Sequence, residues 1–220
     1  TVSDLKQAGE TAPHVLDAMK KLAAGEWQGA VDSFKKASEA APELLEKIGV
    51  AIFKKLPPNV RDGLSKINIT EQDVREGAAA LPDLIAAGQA AAKGDWKAAV
   101  SSVLKAGEAA PGLGEKLITN VGKALPEGLA RNLLTDPAVA KALASDPKLH
   151  DGINQLLDGK ILEGAATLLH NDEARDAVLN VVANDPAVKK ALEAVKLTPA
   201  DLIEAGAAAP HVFDAARALT

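Results

Sequence analysis

Apolar residues along this chain recur at three- and four-residue intervals, in short runs cut by proline and glycine. In "WQGAVDSFKKASEAAP" (27–42), Trp27, Ala30, Val31, Phe34, Ala37 and Ala41 stand at i, i+3, i+4, i+7, i+10 and i+14, which is one stripe of a helix. Trp96, Ala99, Val100, Val103, Ala106 and Ala110 repeat the pattern. The β-branched and aromatic runs of strands are missing, so the class expected is all-α. Four helices are expected per unit. The first covers about 3–11, and the second runs from Pro13 or Pro82 to Gly25 or Gly94, where glycine suits a helix end. The tryptophan helix follows, and the fourth opens at Pro42 or Pro111 and ends by Pro57 or Pro126. Helices this short are marginal alone, which predicts a stacked, solenoid-like array.

The two tryptophan phrases are 69 residues apart, and the same offset aligns Asp4 with Asp73, Pro13 with Pro82, Leu56-Pro57 with Leu125-Pro126 and Leu64 with Leu133, without a gap. Residues 1–69 and 70–133 therefore read as two copies of one helical unit, longer than common solenoid repeats. "SDLKQAGETAPHVLDAMKKL" (3–22) reappears as "ADLIEAGAAAPHVFDAARAL", so 198–220 reads as a partial third unit, either a window on a longer array or a capping half-unit. Residues 134–197 read as a divergent helical segment. Its Asp136-Pro137, Asp146-Pro147 and Asp185-Pro186 pairs mark helix starts, because aspartate caps and proline suits the first helical position; Asn171-Asp172-Glu173 looks like another start.

Composition narrows the partners. Of 220 residues, 47% are hydrophobic but only 2% aromatic, so alanine must supply much of the core. The net charge of −5, with lysines interspersed among acids, argues against nucleic acid, which needs a basic stripe. No run approaches the roughly 20 apolar residues of a membrane span. The absence of cysteine excludes disulfides and thiolate zinc sites without choosing a compartment.

The tryptophan phrases resemble the second helix of a tetratricopeptide (TPR) repeat over 25–42 and 94–111. Gly25, Trp27, Ala30, Phe34, Ala37 and Pro42 occupy the family's spacing, as do Gly94, Trp96, Ala99, Val103, Ala106 and Pro111, and a weaker echo runs through Gly159, Ile161, Gly164 and Leu168. The preceding helix departs from the family, with Lys21 and Ala90 where an aromatic is usual, and the period is 69 instead of 34. The resemblance implies helical hairpins and a concave surface for a peptide or protein, without placing any binding side chain.

Chemistry is sparse. His14 and His211 follow a proline at a helix start where the second copy has Asp83, which suggests an exposed polar position; His150 and His170 lie in no ligand spacing. No nucleophile elbow surrounds a serine and no glycine-rich phosphate loop is present. "PGLGEKL" (111–117) replaces "PELLEKI" and reads as a loosened helix start, whereas apolar "GVAIFKKLPPNV" (49–60) against milder "ITNVGKALPEGL" (118–129) reads first as an end unit that packs differently, or else as a place where the copies have different neighbours. No catalytic, cofactor-binding or metal residues and no cofactor are expected. Trp27, Val31, Phe34, Trp96, Val100 and Val103 are expected to carry the core, the two indoles as equivalent wedges. The expected function is a non-enzymatic protein-interaction or scaffolding module, with a protein or peptide partner and head-to-tail self-association through the partial unit. The alternative is a helical segment of a larger secreted bacterial toxin, effector or adhesin, with amphipathic helices that could lie on a membrane.

Overall fold

The computed structural model describes residues 13–18, 20–21, 24, 26–40, 45–172, 174–194 and 196–212, and among these the chain is helical with no strand. It forms two compact units, Thr1–Leu113 and Gly114–Thr220. In the first, residues 13–18 and 20–21 are helical. They are followed by α1 (Trp27–Ala40), α2 (Leu45–Lys55), α3 (Pro58–Lys66), α4 (Glu71–Glu76), α5 (Leu81–Lys93) and α6 (Trp96–Ala109). The division falls inside α7 (Pro111–Ala124). The second unit continues with α8 (Leu129–Thr135), α9 (Pro137–Ser145), α10 (His150–Leu157), α11 (Ile161–Leu169), α12 (Arg175–Asn184), α13 (Pro186–Ala194) and α14 (Pro199–Ala205).

Local chemistry accounts for the boundaries. The Asp136 carboxylate accepts from the amides of Ala138 and Val139 at 2.9 and 3.1 Å, with Pro137 at the first helical position of α9. Asp146-Pro147 opens a 3-10 turn, Pro147–Leu149, that leads into α10, and Asp185 accepts the Val188 amide at 3.3 Å at the start of α13. Gly94 ends α5 in the left-handed region at φ +75, where a side chain would be strained. The helix expected at about 3–11 lies outside the described residues. Beyond the expected helices, α3 and its counterpart α8 are present: the Pro57-Pro58 break starts α3 as well as ending α2, because Pro58 needs no amide donor in a first turn.

In the first unit α5 is the hub, packed against α1, α3 and α6. Its seam with α1 and α2 is apolar, with Ala30, Val31, Phe34 and Ile52 facing Leu81, Pro82 and Ile85. Against α3 the backbones themselves touch. A methyl on Gly63 would lie 1.8 Å from the Gly88 carbonyl oxygen, and one on Gly88 would lie 2.6 Å from Leu64 Cγ. In the second unit α12 is the hub, packed against α8, α9, α11, α13 and α14, while α10 and α11 form a hairpin. That hairpin is as close: a methyl on Gly164 would stand 2.6 Å from the Gly152 carbonyl oxygen and 2.6 Å from Leu156 Cγ.

Of the expected core residues, Phe34, Val100 and Val103 are buried, at 1%, 0% and 0% exposure. Val31 and Trp96 are half-buried, and the Trp27 side chain lies outside the described residues. Trp96 is therefore no enclosed wedge: it is the first residue of α6, directly after the Asp95 cap. The stripe on α1 departs from expectation at two positions, while Ala30, Phe34 and Ala37 are buried. Ser33 is buried at 3% exposure whereas Val31 is only half-buried. In "GVAIFKKLPPNV", Val50, Ile52, Leu56 and Val60 are buried and Phe53 is half-buried, so this stretch is mostly interior.

Gly63→Ala is expected to lower unfolding free energy by about 3 kcal/mol in urea titration, since a helix pair already in backbone contact must separate. Gly112→Ala, with nothing within 4 Å of the added carbon, is the control and should leave stability unchanged or raised by up to about 1 kcal/mol.

Candidate functional site: a polar cleft in the second unit

The candidate site is an open cleft of about 760 Å³ around the α10–α11 hairpin. Asp146, Lys148 and Leu149 form one side at the start of the hairpin's first arm; Glu163, Ala166 and Thr167 of α11 form the other. Gln155 of α10 also lines it, as do His170, Asn171 and Asp172 just past the end of α11.

Each wall is held by named bonds. The Asp146 carboxylate caps the 3-10 turn by accepting the Lys148 amide at 3.0 Å, and it also receives Asn171 Nδ2 at 3.3 Å. Asn171 Oδ1 accepts the Ala174 amide at 2.9 Å, so this one side chain both starts the approach to α12 and ties it to Asp146. Thr167 Oγ1 lies 2.9 Å from Gln155 Oε1 and 3.0 Å from the Glu163 carbonyl, so its single proton serves two acceptors and bridges the hairpin. His170 Nδ1 donates to the Ala166 carbonyl at 2.7 Å, which leaves Nε2 as the acceptor of the neutral ring. Arg175 Nε donates to the Leu169 carbonyl at 3.0 Å, and its guanidinium pairs with Asp172. The last carbonyls of α11 thus have partners although the helix stops early.

The lining carries three carboxylates and one ammonium, and with Asp172 paired to Arg175 the excess of negative charge that remains comes from Asp146 and Glu163 against Lys148, which favours positive charge. Among the described residues no three His, Asp or Glu side chains stand where they could share a metal ion, and no helix is long and apolar enough to cross a membrane. What the cleft offers is directed hydrogen bonding and carboxylate charge.

The structure brings His170 and Asp172 into one site. His150 instead donates from Nε2 to the Leu143 carbonyl at 2.9 Å, His14 is half-buried, His211 is exposed, and Glu173 lies outside the described residues. Asp83, aligned with those last two histidines, is half-buried instead of exposed. Burial pushes its carboxyl up, against the opposing pull of Lys105 and Lys35. Asp146 and Asn171 were legible only as helix starts, which is how they cap the Lys148 and Ala174 amides, and no motif announces Gln155, Glu163 or Thr167.

A second polar cluster lies in the first unit. Ser33 Oγ donates to Asp17 Oδ2 at 2.5 Å and accepts from Lys21 Nζ at 3.0 Å, while Asp17 and Lys21 pair at 2.6 Å. The Lys21 ammonium, followed by the Ser33 hydroxyl, holds the Asp17 carboxyl below the usual carboxylate range. The single hydroxyl proton is shared between Asp17 and the Gly29 carbonyl at 2.8 Å while the oxygen accepts from Lys21, so this buried cluster fastens the helix before Gly25 to α1. Its signal was present as Asp17 and Lys21 one turn apart.

The chain was compared with known protein families, curated proteins and solved structures, and none matches.

Ser33→Ala should cost about 1 kcal/mol of stability, because the hydroxyl is buried while its partners keep each other. The Asp17 cluster sets a pH dependence with a defined sign. The folded carboxyl titrates below its unfolded value of 3.8, so its stabilisation is complete above that range and lost as pH falls through the lower folded value. The stability gap between wild type and Asp17→Asn should therefore be flat from neutral pH to about pH 5 and shrink below pH 4, as read by thermal melts.

Proposed function

We propose that this chain is a non-enzymatic helical-repeat module for protein interaction or scaffolding, built by duplication of a 69-residue unit and stacked as a solenoid. The observation that carries the reading is the coincidence of helix boundaries at that offset. Helix α1 covers Trp27–Ala40 and α6 covers Trp96–Ala109, 69 residues on at both ends. Helices α2 and α7 end at Lys55 and Ala124, and α3 and α8 at Lys66 and Thr135, again 69 apart. The same positions are interior in both: Ala30 and Ala99, Phe34 and Val103, Ala37 and Ala106, Leu56 and Leu125, Leu64 and Leu133.

The partial unit adds a further match. Thr70 and Asp73 form a capping box at the start of α4, and Thr198 and Asp201 form the same box at the start of α14. Each short helix is then followed by a 3-10 turn, Ala78–Ala80 in one case and Gly206–Ala208 in the other, 128 residues apart throughout. The TPR-like spacing of 94–111 falls on the second arm of a packed helical hairpin, α5 with α6, which favours peptide or protein recognition.

The test is affinity capture with the whole chain, followed by titration of each purified candidate and cross-link mapping. A saturable one-to-one complex with cross-links on the folded chain is the expected result. Recovery of the same proteins by heat-unfolded chain, with no saturable binding, would remove the reading.

A further inference from the structure

We propose that the cleft at the α10–α11 hairpin is where the module takes its partner, and that its ligand is a cationic side chain, arginine or lysine, on an extended peptide segment. This rests on the interaction-module reading above and assigns it a place and a chemistry.

The argument begins with a register the divergent segment conceals. Residues 146–169 align with 81–104, 65 residues earlier and without a gap. Pro147 falls on Pro82, Leu149 on Leu84, Ile161 on Trp96, Leu168 on Val103 and Leu169 on Leu104. Gly159 falls on Gly94, and both sit in the left-handed region, at φ +77 and +75. The polar bridge is shared as well. Thr167 to Gln155 spans twelve residues, as does Lys21 to Ser33 in the first hairpin, and each hydroxyl also reaches the carbonyl four residues back, Glu163 and Gly29 respectively. The segment 134–197 thus holds another copy of the same hairpin.

In this copy the second arm is short. Helix α6 continues to Ala109, whereas α11 stops at Leu169, five residues before the aligned position 174. At 1.5 Å per residue, about 7 Å of helix is missing. In the first unit that stretch carries Lys105 and Glu108, which act electrostatically on Asp83 at the start of the partner arm. In the second unit the chain turns away at His170 and Asn171, and the start of the partner arm, Asp146 to Leu149, faces the cleft. The cleft thus lies where the longer helix of the other hairpin continues and α11 does not.

What remains suits a cation. Asp146 and Asp172 are held by Asn171 and Arg175, which keeps the rim in place before a ligand arrives. The half-buried Glu163 carboxylate makes no hydrogen bond or ion pair among the described residues, although its backbone carbonyl accepts from Thr167. The Gln155 amide oxygen, which takes one hydrogen bond from Thr167, has a second lone pair to accept from a donor in the cleft. The volume is that of a site for one long side chain with its flanking backbone. Phosphate-bearing ligands would meet like charge.

The test uses the full chain, isotope-labelled, and follows its amide resonances during titration with acetyl-Gly-Arg-Gly-amide. Saturable shifts confined to residues 146–149, 155 and 163–172 are expected. Glu163→Gln should weaken binding about fivefold or more, the worth of one lost charge contact, while Glu127→Gln, an exposed carboxylate elsewhere, should not. Raising salt should weaken the wild-type interaction toward that of Glu163→Gln. The proposal is overturned by shifts spread over the acidic surface, by no response, by an unchanged Glu163→Gln, or by equal binding of acetyl-Gly-Glu-Gly-amide. A saturable complex in the capture experiment together with a silent cleft would reject this inference alone; no complex at all would reject the module.

Discussion

The contact on which the first unit depends is one of backbone with backbone, where α3 crosses α5 at Gly63 and Gly88. A chain with 2% aromatic residues cannot fill wide gaps between helices, so its helices must come close enough for alanine and glycine to close the space. Glycine in a helix carries an entropic cost of about 1 kcal/mol relative to alanine, and here that cost is offset by dispersion contacts along two helix surfaces at the shortest separation available. The second unit uses the same device at Gly152 and Gly164, where each glycine admits the leucine four residues beyond its counterpart, Leu168 and Leu156.

Close crossings leave little room for polar groups, so those that enter are paired. Ser33 lies inside because Asp17 and Lys21 reach it from the facing helix. The aligned positions in the second unit of the repeat, Ala86 and Ala90, offer no partner, and Ser102 stays half-buried while Val100 turns inward. One hydroxyl and its partners thus decide which of two neighbouring positions is interior, Ser33 in α1 but Val100 in α6, while Ala30, Phe34 and Ala37 of α1 are buried like Ala99, Val103 and Ala106 of α6. The Gln155–Thr167 pair of the second unit shows the bridge persisting with an uncharged partner, at the edge of the cleft beside the short α11.

Much of the architecture was legible in local chemistry. The Asp-Pro pairs, the glycine stop at Gly94 and the 3.6-residue stripe of α6 depend only on neighbours in sequence, and the structure contains them where local rules place them. The cleft was not legible, because it lies where a helical turn is absent and is lined by side chains more than ten residues apart. Nothing about Gln155 or Glu163 in isolation distinguishes a lining residue from a solvated one. Trp96 was misjudged for a related reason: a helical stripe says which residues share a face, but not that the end of that face remains covered.

The sequence by itself determined that the chain is helical, where most helices begin and end, and that two of its segments carry the same pattern 69 residues apart, since each of these follows from short-range propensity, capping and direct comparison. Only the tertiary structure decided which side of each stripe is interior, that Gly63 and Gly152 mark crossings instead of loops, and that Asp146, Glu163 and Asn171 meet around one opening. Those depend on how far apart helix axes lie, a distance set by every side chain in an interface together and by none of them alone.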